Sequence, residues 1–268
     1  MIASLIRARV IKHVGHLPAE ESRKLKDRVL AFQVGPFGWI LDMFCVVLFG
    51  RNLKMLATIY WTDKWNYHWY AQHYEDFFER LRRKRIKILE IGIGGYNDPR
   101  KGGNSLRMWR AYFPKGRIYG VDIFDKSFHN GSRIKIFQGS QADPDFLNVM
   151  LREVGTPDII IDDGSHMCNH VLFTFQHLFP HLADDGFYVV EDTETSYQES
   201  EGGNSVERND IRTTMGYFKS LTDGLNWEEF KNENQPTYLD LNIKAITFYH
   251  NLIVIKKGSN REGTCPST

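Results

Sequence analysis

From residue 86 onward, short runs of β-branched and aliphatic residues alternate with longer amphipathic stretches. An apolar run of four to six residues without polar interruption marks a strand covered on both faces, whereas apolar positions recurring every three to four residues mark a helix with one buried side. The pattern predicts strands at 86–91, 117–121, 134–137, 159–161 and 186–190, with helices over about 105–113, 143–154, 169–182 and 206–221. Two final runs, 245–249 and 252–256, are separated only by His250 and Asn251, which is hairpin spacing. Alternating strand and helix closed by an antiparallel pair implies an α/β fold with a doubly wound, mostly parallel sheet.

Upstream the pattern changes. Residues 1–85 are aromatic and helical in spacing, without strand alternation, and form a helical N-terminal region ending at Arg82-Arg83-Lys84-Arg85, a run expected to be a solvated helix end. Residues 86–257 form the α/β domain, and the polar, glycine-containing stretch 258–268 is expected to be disordered. The apolar segment 34–50 is broken by Pro36, Gly38 and Asp42 and falls short of the roughly 20 apolar residues a membrane span needs. Packing against the main domain is the preferred reading, with peripheral lipid contact as the second. The aromatic group Tyr60, Trp61, Trp65, Tyr67, Trp69, Tyr70 and Tyr74 is expected to be mainly core.

Composition narrows this only slightly. The 268 residues are 42% hydrophobic, enough for a full core, and 34 basic residues against 33 acidic ones offer no general electrostatic case for nucleic acid. Cys45, Cys168 and Cys265 are widely spaced with no CxxC pair, so neither a disulfide framework nor a zinc cluster is indicated. Arg7, Arg9 and Lys12 interrupt any apolar signal region, and a cytoplasmic protein is expected.

Chemistry concentrates at the strand ends. The first strand runs into Glu90-Ile91-Gly92-Ile93-Gly94-Gly95, a turn whose glycines let the backbone approach a ligand closely, and the second ends at Asp122, placed to accept hydrogen bonds from ribose hydroxyls. A glycine turn of this kind also serves nicotinamide enzymes. Here, however, the loop is stretched through Tyr96-Asn97-Asp98-Pro99-Arg100-Lys101-Gly102-Gly103 before its helix, unlike the compact turn that brings a helix N-terminus to a pyrophosphate. A nucleotide-type cofactor without phosphates, S-adenosylmethionine, fits better.

The later strands end in acids: Ile161-Asp162-Asp163-Gly164-Ser165-His166 and Val190-Glu191-Asp192. If these strands are neighbours, the carboxylates of Asp163, Glu191 and Asp192 converge and favour a hard divalent cation such as Mg²⁺. Taken singly, each is equally well a solvated turn acid. His166, three residues after Asp163, is placed to act as general base on a hydroxyl acidified by that ion, while His170 is expected to serve helix packing. A later Gly202-Gly203-Asn204-Ser205 echoes Gly102-Gly103-Asn104-Ser105, and both are read as glycine loops entering capped helices, the second a candidate acceptor lid.

In their order along the chain, Leu89-Glu90-Ile91-Gly92-Ile93-Gly94-Gly95, Gly120-Val121-Asp122-Ile123-Phe124-Asp125-Lys126, Gly139-Ser140-Gln141-Ala142-Asp143, Ile161-Asp162-Asp163-Gly164-Ser165-His166 and Val190-Glu191-Asp192-Thr193-Glu194 resemble the macrocin and mycinamicin sugar O-methyltransferases. Thr62-Asp63-Lys64 and Tyr217-Phe218-Lys219 extend the likeness to both sides, over roughly residues 55 to 257. The resemblance implies a Rossmann-like class I methyltransferase that uses S-adenosylmethionine and Mg²⁺ to methylate a sugar hydroxyl of a glycosylated natural product or glycan. Carried over by motif, His166 is the base, and Asp163, Glu191 and Asp192 hold the metal. Glu90, Gly92, Gly94, Ser105, Asp122, Ser140, Gln141 and Asp162 belong to the cofactor site, Ser105 alternatively capping its helix. A homo-oligomer is implied, with the N-terminal region serving as cap, oligomerisation element or acceptor enclosure. The competing functions are a metal-dependent catechol or phenol O-methyltransferase, a nicotinamide oxidoreductase and a non-catalytic nucleotide-binding protein.

Overall fold

The computed structural model describes residues 38–230 and 235–263, together with positions 20, 21, 24 and 28. Each predicted strand forms: β1 (Lys87–Ile91), β2 (Arg117–Asp122), β3 (Ile134–Gln138), β4 (Ile159–Asp162), β5 (Phe187–Glu191), β6 (Ile243–Tyr249) and β7 (Leu252–Lys257). They join in the order β3-β2-β1-β4-β5-β7-β6. The first five run parallel, and β7 pairs antiparallel with both β5 and β6. The strand order reverses between β1 and β4, the switch point where a sheet of this kind opens a crevice at its carboxyl edge. Register places Ile91 opposite Asp162 and Asp162 opposite Val190, so the three strands carrying the candidate chemistry finish level with one another.

The chain divides into two compact units, one of Arg85–Leu106 with Gly116–Thr268 and one of Met1–Lys84 with Arg107–Lys115. In the sheet unit, alternate strand positions Leu89, Ile91, Val121, Ile160, Tyr188 and Val190 bury one face against helices α5 (Pro144–Val154) and α6 (Cys168–Leu178). Burial of side chains of this size stabilises by roughly 1.5–3 kcal/mol each. Helix α5 starts where its sequence tells it to, with the Asp143 carboxylate accepting from the Asp145 and Phe146 amides, Pro144 opening the first turn and Gly155 (φ 69°) ending the last.

The helical unit contains α1 (Gly38–Phe49), α2 (Leu53–Ile59) and α3 (Tyr70–Phe78), and receives residues 107–115, which include most of α4 (Asn104–Tyr112). Tyr74 packs edge-on against Trp109 with ring centroids 5.3 Å apart. Beside this aromatic core lies a buried polar cluster, in which Asp42 accepts from the Tyr60 hydroxyl and pairs with Arg110 at 2.6 Å. Loss of hydration, reinforced by the neighbouring Arg110, lowers the Arg107 guanidinium to about 10, and burial pushes the Cys45 thiol up to about 11.

Several expectations need correcting. The helix expected at 206–221 is only α7 (Thr214–Ser220). The Asn204 side chain accepts from the Val206 and Glu207 amides, and Asp210 accepts from the Arg212 amide and guanidinium, so local side-chain bonds hold this stretch in turns. The second glycine loop therefore enters no capped helix directly. The helix expected to reach 182 passes into a 3₁₀ turn at Phe179–His181, because Pro180 has no amide to continue the ladder. Helix α4 begins at Asn104, so Ser105 sits inside the first turn and is not its cap. Arg82 is buried, unlike the exposed Arg83, Lys84 and Arg85. In the aromatic group, Tyr60, Tyr70 and Tyr74 are core, but Tyr67 and Trp69 are exposed.

Short elements went unpredicted, a helix before the terminal hairpin among them. Helix α8 (Tyr238–Asn242) starts with a capping box in which Thr237 and Asp240 satisfy each other's backbone, a Thr-x-x-Asp signal present in the sequence. The stretch expected to be disordered is tied down at its beginning, with the Gly258 amide donating to Asn242 O and the Asn260 side chain to Asp240 O. Residues 264–268, including Cys265, lie outside the described residues, as do 34–37 of the apolar N-terminal segment. No helix among the described residues is long and apolar enough to cross a membrane.

Candidate active site

The candidate residues Glu90, Gly92, Gly94, Ser105, Asp122, Ser140, Gln141, Asp162, Asp163, His166, Glu191 and Asp192 all fall within the sheet unit. Glu90 is fully buried in β1. At the end of that strand the Gly92 amide donates to Val121 O at 2.8 Å, and the Asp163 amide donates to Ile91 O at 2.9 Å, stitching the exits of β2 and β4 to that of β1. Gly92 has φ 84°, and a Cβ there would stand 1.8 Å from Asp163 O, so only glycine fits. Gly94, with φ 76°, is different: a Cβ would meet nothing closer than Gly102 Cα at 3.9 Å, which leaves open space over a backbone that needs no side chain.

Asp122 closes β2 and holds the glycine turn from the other side. Its Oδ2 accepts from the Ile93 amide at 3.0 Å and its Oδ1 from the Phe124 amide at 2.9 Å. Each carboxylate oxygen retains a second lone pair, so the predicted role toward ribose hydroxyls stays compatible with these bonds. Ser105 is buried in the first turn of α4, and the Ser140 hydroxyl accepts from the Ala142 amide at 3.2 Å.

Gln141 is placed differently from expectation. Its Oε1 accepts from the Ser165 amide at 2.7 Å, and its Nε2 donates to Asp162 Oδ1 and to Thr174 Oγ1, each at 3.1 Å. The amide is thus buried and used up inside the protein, joining the exit of β3 to β4 and α6. It shapes the loop carrying Asp163 and His166, and a Cβ on Gly164 would meet its Oε1 at 2.1 Å. Asp162, beside it, is buried to 1% exposure. Loss of hydration raises its carboxyl to about 7, although His166, the Gln141 amide and the Gly164 amide pull the other way. Burial and this neighbouring carboxyl hold the Tyr188 phenol protonated.

Beyond the strand ends, Asp163, His166 and Asp192 each offer one ligand atom, and those atoms lie within 4.8 Å of one another. His166 Nε2 is 3.8 Å from Asp192 Oδ2. His166 (φ 60°) and Asp192 (φ 52°) both hold left-handed backbone, a conformation that costs of order 1–3 kcal/mol and persists where the surroundings dictate it. Glu191 is buried as the last residue of β5 and lies outside this group of three. The residue after it has left strand geometry, so the two neighbouring acids part ways. His170 shares a 2.9 Å hydrogen bond with the Ser165 hydroxyl, next to the cluster. The two carboxylates, partly exposed at the rim of the crevice, suit a divalent cation with positions left for other ligands, and the imidazole stands beside them.

Lys126 and His129 were passed over in the sequence. Lys126 is fully buried, with Nζ donating to Asp98 O at 2.8 Å and Lys101 O at 3.2 Å. The only sequence signal was a lysine four residues past Asp122, which reads as ordinary loop chemistry.

A parallel sheet with its antiparallel β7 and β6, a glycine turn after β1 and an acid closing β2 define the class I methyltransferase fold. No protein-family model matches the chain. A mycinamicin VI 2''-O-methyltransferase from Micromonospora griseorubida is 42% identical over 219 residues, covering 81% of this chain and 55% of that protein. A tetracenomycin-type 3'-O-methyltransferase from Streptomyces olivaceus, acting on a 2-methoxy-rhamnosyl compound by its name, is 44% identical over 80% of this chain and 56% of its own length. The demethylmacrocin O-methyltransferase of Streptomyces fradiae is 43% identical over 218 residues. The crystal structure of the mycinamycin-pathway methyltransferase MycE in complex with Mg and SAH superposes with a TM-score of 0.78 at 42% identity, over 81% of this chain and 57% of that one. Over the matched part, this chain is homologous to the macrocin- and mycinamicin-type sugar O-methyltransferases. It spans a little over half the length of these relatives.

Proposed function

We propose that this protein is an S-adenosylmethionine- and Mg²⁺-dependent O-methyltransferase whose acceptor is a sugar hydroxyl on a glycosylated small molecule. The observation that carries the reading is the gathering of Asp163, His166 and Asp192 within 4.8 Å, at the sheet edge that also carries the Gly92–Gly95 turn and Asp122. The names of the homologues support the acceptor class and the cofactors.

The residues present fit both groups. The positive-φ turn with open space at Gly94 would admit a nucleoside-type ligand against bare backbone, with Asp122 toward its ribose. Asp163 and Asp192 would hold the cation, while Glu191, expected as a third ligand, lies outside that group. When bound, the cation lowers the pKa of a hydroxyl and S-adenosylmethionine supplies the methyl group. His166 would accept the hydroxyl proton on its ring, and the Asp192 carboxylate 3.8 Å from Nε2 would stabilise the resulting positive charge. Gln141, through the Ser165 amide, would hold the Asp163–His166 turn in register with the methyl donor, the kind of positioning on which such a displacement depends.

The test is calorimetric titration of S-adenosylhomocysteine and then Mg²⁺ into the wild type and Asp163→Ala. Cofactor binding by both proteins, with the metal site lost in the variant, supports the reading and justifies screening glycosylated acceptors. Failure of the wild type to bind S-adenosylhomocysteine overturns it.

A further inference from the structure

The loop that follows the glycine turn is expensive to hold still. Gly94, Gly95, Tyr96, Gly102 and Gly103 all have positive φ, and a segment so rich in glycine has much conformational freedom to lose. Its own backbone does only part of the work: the Gly103 amide donates to Ile93 O at 2.8 Å, while the Asp98 and Lys101 amides make longer bonds of 3.2 Å to Gly95 O and Asp98 O. The rest comes from the segment after β2. Asp122 takes the Ile93 amide at the foot of the loop, Lys126 Nζ takes Asp98 O and Lys101 O at its middle, and the buried His129 ring donates to Lys101 O at 3.2 Å. Arg100, from the loop, lies over the Phe128 ring at 5.9 Å.

A lysine with no exposed surface is unusual, since an ammonium loses its hydration on burial; here it donates to two carbonyl oxygens instead. The segment 123–129 therefore spends a buried charge on the shape of one loop, and that loop continues directly from Gly92–Gly95. We infer that Lys126 is a positioning residue, assisted by His129, that locks the 94–103 loop in its cofactor-binding conformation; the inference rests on the cofactor reading above. Lys126 acts through the backbone of the loop, at Asp98 O and Lys101 O. Its effect is on the fraction of molecules whose loop is ready, and the apparent affinity falls in proportion to that fraction.

The experiment compares wild type, Lys126→Met and His129→Ala by two readouts: S-adenosylhomocysteine affinity by calorimetry, and tryptic cleavage after Arg100 and Lys101 with and without saturating S-adenosylhomocysteine. If the loop's ready fraction drops to about a tenth, Lys126→Met binds about tenfold more weakly, and His129→Ala, which removes one of the three hydrogen bonds that Lys126 and His129 give the loop, is affected less. Cleavage in the loop should accelerate in the same order and be suppressed by ligand. A purely structural lysine would lower the unfolding midpoint but leave the affinity of the folded molecules unchanged, and that result overturns the inference. Should Lys126→Met fail to fold, His129→Ala decides by the same two readouts, with wild-type values on both counting against the lock. A wild type that binds no S-adenosylhomocysteine refutes the cofactor reading, whereas faster loop cleavage in the variants would still establish the clamp.

Discussion

Replacing Asp162 by asparagine should stabilise the protein, and increasingly so as pH rises. The carboxyl is buried on β4 and raised from 3.8 to about 7, chiefly by loss of hydration. Between those values the unfolded chain has already released the proton while the folded one still binds it. Stability from this group is therefore complete below about pH 4, falls as pH rises toward 7, and is level above. A rise from 3.8 to about 7, at about 1.4 kcal/mol for each unit, amounts to about 4 kcal/mol of lost stability at pH 8. Asparagine keeps an oxygen to accept from Gln141 Nε2 but has no proton to lose. Urea unfolding of wild type and Asp162→Asn, followed in chelator between about pH 4.5 and 8.5, should show the variant gaining on the wild type by roughly 3–4 kcal/mol across that range. Two curves that stay parallel would mean that the carboxyl titrates normally, and the argument from its burial would be wrong.

Gly92→Ala should cost stability by more than about 1–3 kcal/mol, since it adds a Cβ 1.8 Å from Asp163 O at φ 84°, and S-adenosylhomocysteine binding should be lost even where the variant folds. Asp42→Ala should destabilise by about 3–5 kcal/mol in urea unfolding, because it removes the carboxylate paired at 2.6 Å with the buried Arg110; a loss under 1 kcal/mol would show that the pair is compensated by its other partners. His166→Ala should abolish methyl transfer to a sugar acceptor while S-adenosylhomocysteine and Mg²⁺ affinities stay within about threefold, and a tenfold loss of Mg²⁺ affinity would make the imidazole a ligand instead of the base. Gln141→Ala leaves the Ser165 amide without its side-chain partner, at about 1–3 kcal/mol, while Thr174 Oγ1 still donates to His170 O, and should weaken Mg²⁺ binding through the displaced Asp163 turn.

The central strands were legible because β1, β4 and β5 are buried on both faces, so their uninterrupted apolar runs located Ile88, Leu89, Ile159 and Ile160. Where side chains compete with the backbone, the same method failed. Asn204 and Asp210 each form bonds within two or three residues, and the apolar positions Val206 and Ile211 could not reveal that. The candidate site divides along the same line. Gly92 and Asp122 follow from their place at strand ends, but Gln141, read as a cofactor residue, spends its amide on Ser165, Asp162 and Thr174, partners 21 to 33 positions away.

What the amino-acid order determined by itself was the alternation of strand and helix, the glycine turn, and the delivery of acids to the ends of β4 and β5, because these depend on local propensity and on a period that any short window displays. Tertiary structure alone decided which of those acids meet. Strand pairing sets β4 beside β5, and left-handed backbone at His166 and Asp192 then turns Asp163, His166 and Asp192 toward one another while Glu191 remains in the strand. It likewise decided that Lys126 is buried under a loop 25 to 28 positions away. Contacts at such separations are made by the packing of whole elements, and no pattern along the chain encodes the direction in which one side chain will point.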